Sequence, residues 1–398
     1  MHIEKSHSKQ NKFLSLILVF VAFDVLCDNY IVGSFSKSSP LVELCLFAAL
    51  LILQIIISPI QAGISDLYGR KISLIISISF SLLSLIFVYL YDLHFLAYLP
   101  VLILIIVSKG IFGNTVPISW AAVGDMDGKN FRFSFALATS AYAVGYLILI
   151  FLNKFFADSV ATLMLIILFV FVLLLCVRFF FDLKDIEIKE IPHLKVSFFD
   201  FVCNEILLIV RDIKNKSNQM LFLAWILWEI SIYVILVLYA DFINYESSFI
   251  EILMMVGYLV GTFLVKFLPK IDDSRMIRIG YKVSLASLVP YLILGYFFEK
   301  IDVVLAICYF FHAVGNALLS PTMFSIISNR GKVHERGKIY GLAESADTIA
   351  FFISVVVIIA YKHFELDIFF LVWFSFLTVF VSWIPYRQFE KIVRAGPK

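Results

Sequence analysis

Twelve long apolar runs, each separated from the next by a cluster of charged residues, divide this chain. A bilayer core about 30 Å thick takes about 20 helical residues per crossing. With 398 residues, 62% of them hydrophobic, and a mean hydropathy of +0.97, the chain has no room for a soluble domain beside such crossings. The runs predict membrane spans 1–12 at 12–35, 41–62, 72–91, 95–120, 133–153, 157–180, 219–240, 246–268, 277–297, 302–327, 338–361 and 366–386.

The basic residues predict the orientation of these spans. All but five of the 32 Lys and Arg residues lie in the two tails and in alternate links. The opposite links carry only Lys37, Lys154, Lys300 and Lys362, and Lys109 lies within span 4. Because short cytoplasmic loops are rich in Lys and Arg, we expect both termini in the cytoplasm and an even number of crossings. The predicted fold class is an all-α integral membrane protein.

The longest link, at about 182–218, predicts a division into an N-terminal bundle (1–181) and a C-terminal bundle (219–398) of six spans each. Within the link, 197–211 is apolar but interrupted by acids, which is typical of an amphipathic helix lying on the membrane surface. A passive linker and a regulatory or partner-binding element are both compatible with this segment.

Two pairs of similar sequence segments, with members about half the chain apart, relate the predicted halves. Gly113-Asn114 precedes Pro117 in span 4, and Gly315-Asn316 precedes Pro321 in span 10. The runs 137–141 and 342–346 are likewise similar. Together they favour two pseudo-symmetric repeats around a cavity at the membrane midplane.

The link between spans 2 and 3 combines five small or charged residues: Gly63, Asp66, Gly69, Arg70 and Lys71. We expect Gly63 to let span 2 end tightly and Gly69 to adopt a backbone conformation that a side chain would resist. Asp66 is expected near the start of the next helix, where free N–H groups favour negative charge. Arg70 and Lys71 suit an anionic membrane face. A helix hairpin with a basic tip would also explain this composition.

Ionisable residues inside spans are costly and indicate a functional site. They are Asp24 and Asp28 in span 1, Lys109 in span 4, Glu229 in span 7, His312 in span 10, and Glu344 and Asp347 in span 11. Asp24 and Asp28 share one helix face. Crowded, desolvated carboxyl groups favour their protonated form, so an entering cation would compete with protons. We expect Asp28 and Glu229 to contribute most to such exchange.

Other roles for these groups remain open. Lys109 could neutralise Asp24 or Asp28, His312 could be a hydrogen-bonded packing residue, and Glu344 could reach the cytoplasmic interface. Aromatic and amide residues near the acids are further candidates for a cavity lining: Tyr30, Tyr142, Trp225, Trp228, Tyr233, Asn114 and Asn316. Rings beside carboxylates suit an organic cation, although interfacial belts also use aromatic residues.

The link between spans 2 and 3 resembles the signature loop of the major facilitator superfamily, the twelve-helix secondary transporters. Asp28-Asn29-Tyr30-Ile31 is similar to the Asp-x-Tyr-Leu-Pro element of its Bcr/CflA-type drug:proton antiporters, and Lys109 before Gly113 resembles their helix-4 Arg motif. The resemblance implies that Asp125, followed by Arg132, engages Arg70 while Asp66 faces the second half. These contacts would hold the cytoplasmic side shut.

The resemblance implies proton-coupled transport of a small organic solute by alternating access, with export of a cationic or amphiphilic compound. Because 141–146 lacks the Gly-Pro of the antiporter motif, proton-coupled uptake of an amino acid, organic acid or metal chelate is the alternative. Asp24, Cys27, Asp28 and His312 could instead carry a divalent metal. A non-transporting membrane sensor is a further reading.

Several classes of function are not favoured by the sequence. The five cysteines include no C-x-x-C pair, and no nucleophile–base pair or phosphate-binding loop occurs. We therefore do not expect this protein to be an enzyme. We also expect no cofactor, no bound metal and no nucleic-acid partner. The expected partners are a small-molecule substrate, protons and the lipid bilayer. The resemblance implies a monomer, and together with the compact loops it predicts a bacterial inner membrane.

Overall fold

The computed structural model describes residues 14–28, 30–31, 40–126, 131–155, 158–182, 211, 214–240, 248–297, 302–329 and 336–395, and nearly all of these are helical. The helices are α1 (14–31, residue 29 aside), α2 (Pro40–Tyr68), α3 (Arg70–Asp92), α4 (Tyr98–Ile105), a π-helical segment (Ile106–Phe112), α5 (Val116–Gly124), α6 (Phe131–Phe155), α7 (Asp158–Asp182), α8 (Lys216–Ala240), α9 (Ser248–Phe267), α10 (Asp273–Phe297), α11 (Asp302–Ser328), α12 (Arg336–His363) and α13 (Ile368–Ala395).

Ten helical stretches in the described part of the chain are long and apolar enough to cross a membrane. They correspond to predicted spans 2–5 and 7–12, and they confirm a multi-pass, all-helical membrane protein. Large apolar side chains such as Ile56 and Phe263 are more than half exposed on these helices, as lipid-facing residues should be. The orientation of the termini stays a prediction, and the predicted surface helix lies outside the described residues except for Arg211.

The contacts group the chain into two compact units. The first comprises 1–206 together with 327–345, and the second comprises 207–326 together with 346–398. In the first unit, α3 packs along α7, and both α2 and α3 contact the π-helical segment. In the second, α13 packs against α8 and α10. The units meet at three points of the sequence, between 206 and 207, within α11 between 326 and 327, and within α12 between 345 and 346, and the division at 182–218 stays a prediction.

The link between spans 2 and 3 is shorter than expected. The expectation that Gly63 ends span 2 is wrong, because α2 continues to Tyr68 and places Asp66 in its last turn rather than at the start of α3. Arg70 contacts the continued stretch, since its guanidinium donates to the Ala62 carbonyl and to the Ser65 hydroxyl near the end of α2. The turn consists of Gly69 alone, whose φ of 91° confirms the conformation expected for it.

Span 4 is interrupted, although the sequence predicts one continuous helix there. The π-helical segment follows α4, and 113–115 are not helical before α5 begins with Pro117 in its first two positions. Proline is tolerated there because the first N–H groups of a helix have no intrahelical acceptor. The wide turns and the break place a lysine, and backbone groups outside the regular helical pattern, inside the membrane-spanning region.

Candidate functional site

The first unit contains a buried lysine shared by two aspartates. The Nζ of Lys109, in the π-helical segment, contacts Asp24 Oδ1 and lies 3.0 Å from Asp28 Oδ1. The two carboxylates are one turn apart on α1, so both reach the same ammonium. We call the group formed by Asp24, Asp28, Ser81, Lys109, Gly113 and Thr115 the shared-lysine site.

Oxygen atoms of two further residues, Ser81 and Gly113, surround the same ammonium. Lys109 Nζ donates to the Gly113 carbonyl at 2.9 Å and to Ser81 Oγ at 3.1 Å. Ser81 Oγ in turn lies 3.1 Å from Asp24 Oδ1 and 2.7 Å from the Gly113 carbonyl. Lys109 and Ser81 thus both donate to the Gly113 carbonyl at the break in span 4, where this backbone oxygen is not part of a helical hydrogen bond.

Asp24 also faces the beginning of α5. The backbone N–H of Thr115, the residue before that helix, donates to Asp24 Oδ2 at 2.9 Å. The N-terminal end of a helix carries partial positive charge, so it stabilises a carboxylate placed there. Asp24 therefore has a hydrogen-bond donor or a cation at each oxygen.

The two aspartates differ in how far the protein encloses them. The side chains of Asp24 and Lys109 are each 1% exposed, whereas that of Asp28 is 35% exposed. One ammonium serves two carboxylates, so the ionised site has one negative charge in excess. A proton on the open carboxylate Asp28 would remove that excess without disturbing the buried Asp24–Lys109 pair.

Arg70 organises the second cluster of the first unit, at the turn between α2 and α3. Its guanidinium pairs with Asp66 and donates through Nε to Asp125 Oδ2 at 2.9 Å. The contact between Arg70 and Asp125 that the resemblance implied is therefore present. Asp66 Oδ1 also accepts from the backbone N–H of Gly337 at 3.3 Å, at the start of α12.

Glu344 belongs to the first unit through an indole that sequence reasoning did not select. Trp120 in α5 donates through Nε1 to Glu344 Oε2 at 3.2 Å, and its ring lies parallel to that of Tyr142 with centroids 6.0 Å apart. Glu344 is only 9% exposed. Trp120 could have been found from sequence, because a buried indole N–H inside a span requires an acceptor.

The second unit places its candidate residues in three separate pairs. Asn316 donates to Glu229 Oε2 at 3.3 Å, and the ring of His312 lies 3.0 Å from Ser231 Oγ. Tyr233 donates to Asp347 at 2.6 Å. Each pair joins one residue of α8 to a buried or half-buried partner on α11 or α12.

The remaining candidates lie in hydrogen-bonded or packed positions. The hydroxyl of Tyr30 is 2.6 Å from Thr162 Oγ1 on α7, and Asn114 donates to Ser58 at 2.8 Å. Trp225 and Trp228 make edge contacts with Phe324 and Tyr281 respectively. Lys71 and Arg132 are half-buried at the starts of α3 and α6.

The residues considered for a divalent metal do not assemble into a site in the described part of the chain, where no group of three His, Cys, Asp or Glu could hold an ion. The Lys109 ammonium occupies the space between Asp24 and Asp28, and the Cys27 thiol points to the Ser81 carbonyl at 3.6 Å. The Lys109 ammonium is thus the cation that these two carboxylates bind.

Comparison with known proteins gives a consistent result. The family model of the Major Facilitator Superfamily matches residues 13–355, while no curated protein matches the sequence. Among solved structures, the human organic anion transporter MFSD10 is similar with a TM-score of 0.72 and 13% identity over 95% of this chain and 99% of that one. The E. coli fucose:proton symporter FucP has a TM-score of 0.67 and 15% identity, over 96% of this chain and 99% of that one. A bacterial homologue of the iron transporter ferroportin also has a TM-score of 0.67 and 15% identity, over 95% of this chain and 99% of that one. At these identities the likeness shows a common fold.

Proposed function

The chain belongs to the major facilitator superfamily, and on that premise we propose that it is a proton-coupled secondary transporter that moves a small organic solute by alternating access. It is a multi-pass membrane protein and a transporter rather than an enzyme. Proton coupling, the substrate class and the direction of transport are the proposed part.

The observation that carries the proposal is the unequal pair of aspartates at Lys109. Asp24 is closed and paired, whereas Asp28 is open and shares the same ammonium from 3.0 Å. An unbalanced negative charge inside a membrane is costly, so the site favours any state that adds one positive charge. A proton on Asp28 supplies that charge, and so does a cationic solute beside it.

Competition between a proton and a cationic solute for Asp28 favours antiport. Each occupant can shift the conformational equilibrium only through its different affinity for the two conformations. A proton entering down its gradient then displaces the solute in the opposite direction, which in a cell is export. The missing Gly-Pro of the antiporter motif in α6 favours proton-coupled uptake as the second candidate.

Further properties belong to the same proposal. The element around Asp28 and Tyr30 supports a Bcr/CflA-type antiporter as the nearest class. We propose cytoplasmic termini, six-span bundles at 1–181 and 219–398 joined by 182–218, and a monomer working in a bacterial inner membrane. The distribution of Lys and Arg supports this orientation.

The direction can be tested with purified protein in liposomes whose membrane potential is clamped to zero by potassium and valinomycin. Ethidium, a permanently charged organic cation, serves as the probe, and a trapped pH dye reports proton flux. Antiport predicts that ethidium accumulates in vesicles with an acidic lumen while the lumen becomes more alkaline. Accumulation from an acidic medium would replace export by uptake, and no ethidium-linked proton flux under either gradient contradicts the proposal.

The role of Asp28 is tested with two carboxyl-to-amide variants. Asp28→Asn removes the titratable group and should leave ethidium distribution independent of the pH gradient. Glu365→Gln, an exposed position between α12 and α13, should behave like the unaltered protein. Retention of gradient-driven accumulation in Asp28→Asn would remove the basis of the mechanism.

A further inference from the structure

A charged groove lies at the beginning of α10, away from the shared-lysine site. It is an open cavity of about 420 Å³ lined by Asp272, Arg275, Arg278, Ile279 and Lys282. Three of these five side chains are basic and one is acidic. The groove therefore has a positive balance and suits an anion.

Two of the basic residues have no counter-ion within the described residues. Arg275 and Lys282 are exposed, and no ion pair joins either of them to another described side chain. Asp272, the one acid in the lining, is already used as a helix cap, because its Oδ1 accepts the backbone N–H of Arg275 at 2.8 Å. Its carboxylate opposes an anion but does not neutralise the two exposed cations.

Arg278 supplies a hydrogen-bond donor that has no acceptor in the described part of the chain. Its Nη2 donates to Ser274 Oγ at 2.8 Å and lies 3.6 Å from Glu390 Oε1. Glu390 also pairs with Arg387 at 3.1 Å, so its charge is shared between two guanidinium groups. The Nε–H of Arg278 is buried without a partner among the described residues. A buried N–H without an acceptor is unfavourable, and a rotation of the Arg278 side chain toward the groove would let a phosphate oxygen accept from it.

The depth of the groove matches the edge of a membrane. The membrane-crossing part of α10 begins at Asp273, which places Arg275 and Arg278 in its first two turns. Lys282 lies about 13 Å from Asp273 along the helix axis, and its long aliphatic side chain can bring the ammonium back toward the surface. Ile279, one turn after Arg275, gives the deeper part of the groove an apolar wall.

We propose that this groove binds an anionic phospholipid, with the headgroup phosphate held by Arg275, Arg278 and Lys282 and an acyl chain along Ile279. Guanidinium groups form charge-assisted hydrogen bonds with phosphate, and basic residues near a bilayer surface attract anionic lipids. The apolar wall distinguishes a lipid from a free phosphate, which would have no use for it. The site is independent of the transport proposal.

The proposal is tested by native mass spectrometry of the full-length protein in detergent, titrated with phosphatidylglycerol or with phosphatidylcholine. The double variant Arg275→Gln/Lys282→Gln should weaken phosphatidylglycerol binding at least about tenfold, since each basic residue contributes to the attraction. The control Lys391→Gln/Arg394→Gln removes the same charge from exposed positions on α13 and should leave binding within about twofold of the unaltered protein.

A third variant makes the expected change in the opposite direction. Asp272→Asn keeps a good helix-capping side chain and removes the acid, so phosphatidylglycerol should bind more tightly. Equal losses in the two double variants, or equal binding of phosphatidylcholine, would overturn the proposal. Displacement of the lipid by millimolar inorganic phosphate would overturn the lipid assignment in favour of a free-phosphate site.

Discussion

Lys109 and Asp28 lie 3.0 Å apart, and the same ammonium contacts Asp24, so one cation inside the membrane-spanning region serves a closed and an open carboxylate. The closed partner depends on the lysine for its charge balance. The open partner is 35% exposed and is therefore less enclosed by protein. The two aspartates should therefore respond differently when the lysine is removed.

Replacing the lysine tests this dependence. Lys109→Met leaves Asp24 buried without its cation and should lower the free energy of unfolding by about 3–5 kcal/mol. The double variant Lys109→Met/Asp24→Asn should recover much of that loss, because the uncompensated charge is gone. Thermal unfolding in detergent measures both, with the exposed Lys391→Met as the control. A Lys109→Met protein as stable as the control would show that the pair contributes no stability.

Arg70 predicts a geometric rather than a purely electrostatic requirement. Its guanidinium reaches Asp66, Asp125, Ser65 and the Ala62 carbonyl at once, which a single ammonium cannot do. Arg70→Lys should therefore lower the unfolding temperature and the transport rate, although the charge is kept. The exposed Lys270→Met removes a charge without such contacts and should change neither. Full activity of Arg70→Lys would limit the role of Arg70 to its charge.

The indole of Trp120 should be needed for its N–H group as well as for its ring. Trp120→Phe keeps an aromatic side chain but deprives Glu344 of the donor at 3.2 Å. Loss of a hydrogen bond to a charged group should destabilise the protein by about 1.5–3 kcal/mol. Trp373→Phe, at a position 41% exposed, is the matched control and should be nearly neutral. Equal unfolding temperatures for the two variants would contradict the assignment.

Gly337 predicts a steric effect at the Arg70 cluster. A β-carbon there would lie 2.6 Å from Arg70 Nη1 and 2.7 Å from Asp66 Oδ2, and it would also collide with the Ala62 carbonyl. Gly337→Ala should therefore separate Asp66 from Arg70 and lower both stability and transport. Gly69→Ala meets no atom within 4 Å, but its φ of 91° and ψ of 142° are sparsely populated by residues with a side chain, so it should cost about 1–3 kcal/mol of backbone strain. A larger loss in Gly69→Ala than in Gly337→Ala would reverse this order.

Local sequence patterns predicted the helices and one side of the candidate site. Apolar runs of membrane length gave the spans, and the spacing of Asp24 and Asp28 placed both carboxylates on one face of α1. The sequence left two interpretations of Lys109 open: a group of the functional site, or a cation that neutralises Asp24 or Asp28. The structure adds that it contacts both, which depends on the approach of two helices and cannot be read from either one.

The missed features depend on contacts between elements distant in sequence. Gly63 is a residue type that commonly ends a helix, but α2 continues past it. Arg70 on the following helix donates to the Ala62 carbonyl and the Ser65 hydroxyl of that continued stretch. The hydroxyl of Tyr30 lies 2.6 Å from Thr162 Oγ1 on α7, a contact that the sequence around Asp28 does not indicate. The π-helical turns had only indirect signals, since Gly110, Gly113 and Pro117 also occur in ordinary helices.

The π-helical segment has a consequence for how this protein could change by mutation. A π turn holds about one residue more than an α turn, so the segment rotates everything after it relative to α4. Deleting one residue between Ile106 and Phe112 could restore a regular helix, and another side chain would then be turned toward Asp24. The location of the Lys109 ammonium therefore depends on how tightly this helical segment is wound as well as on the residue type at position 109. Insertions and deletions here would move it more readily than substitutions elsewhere.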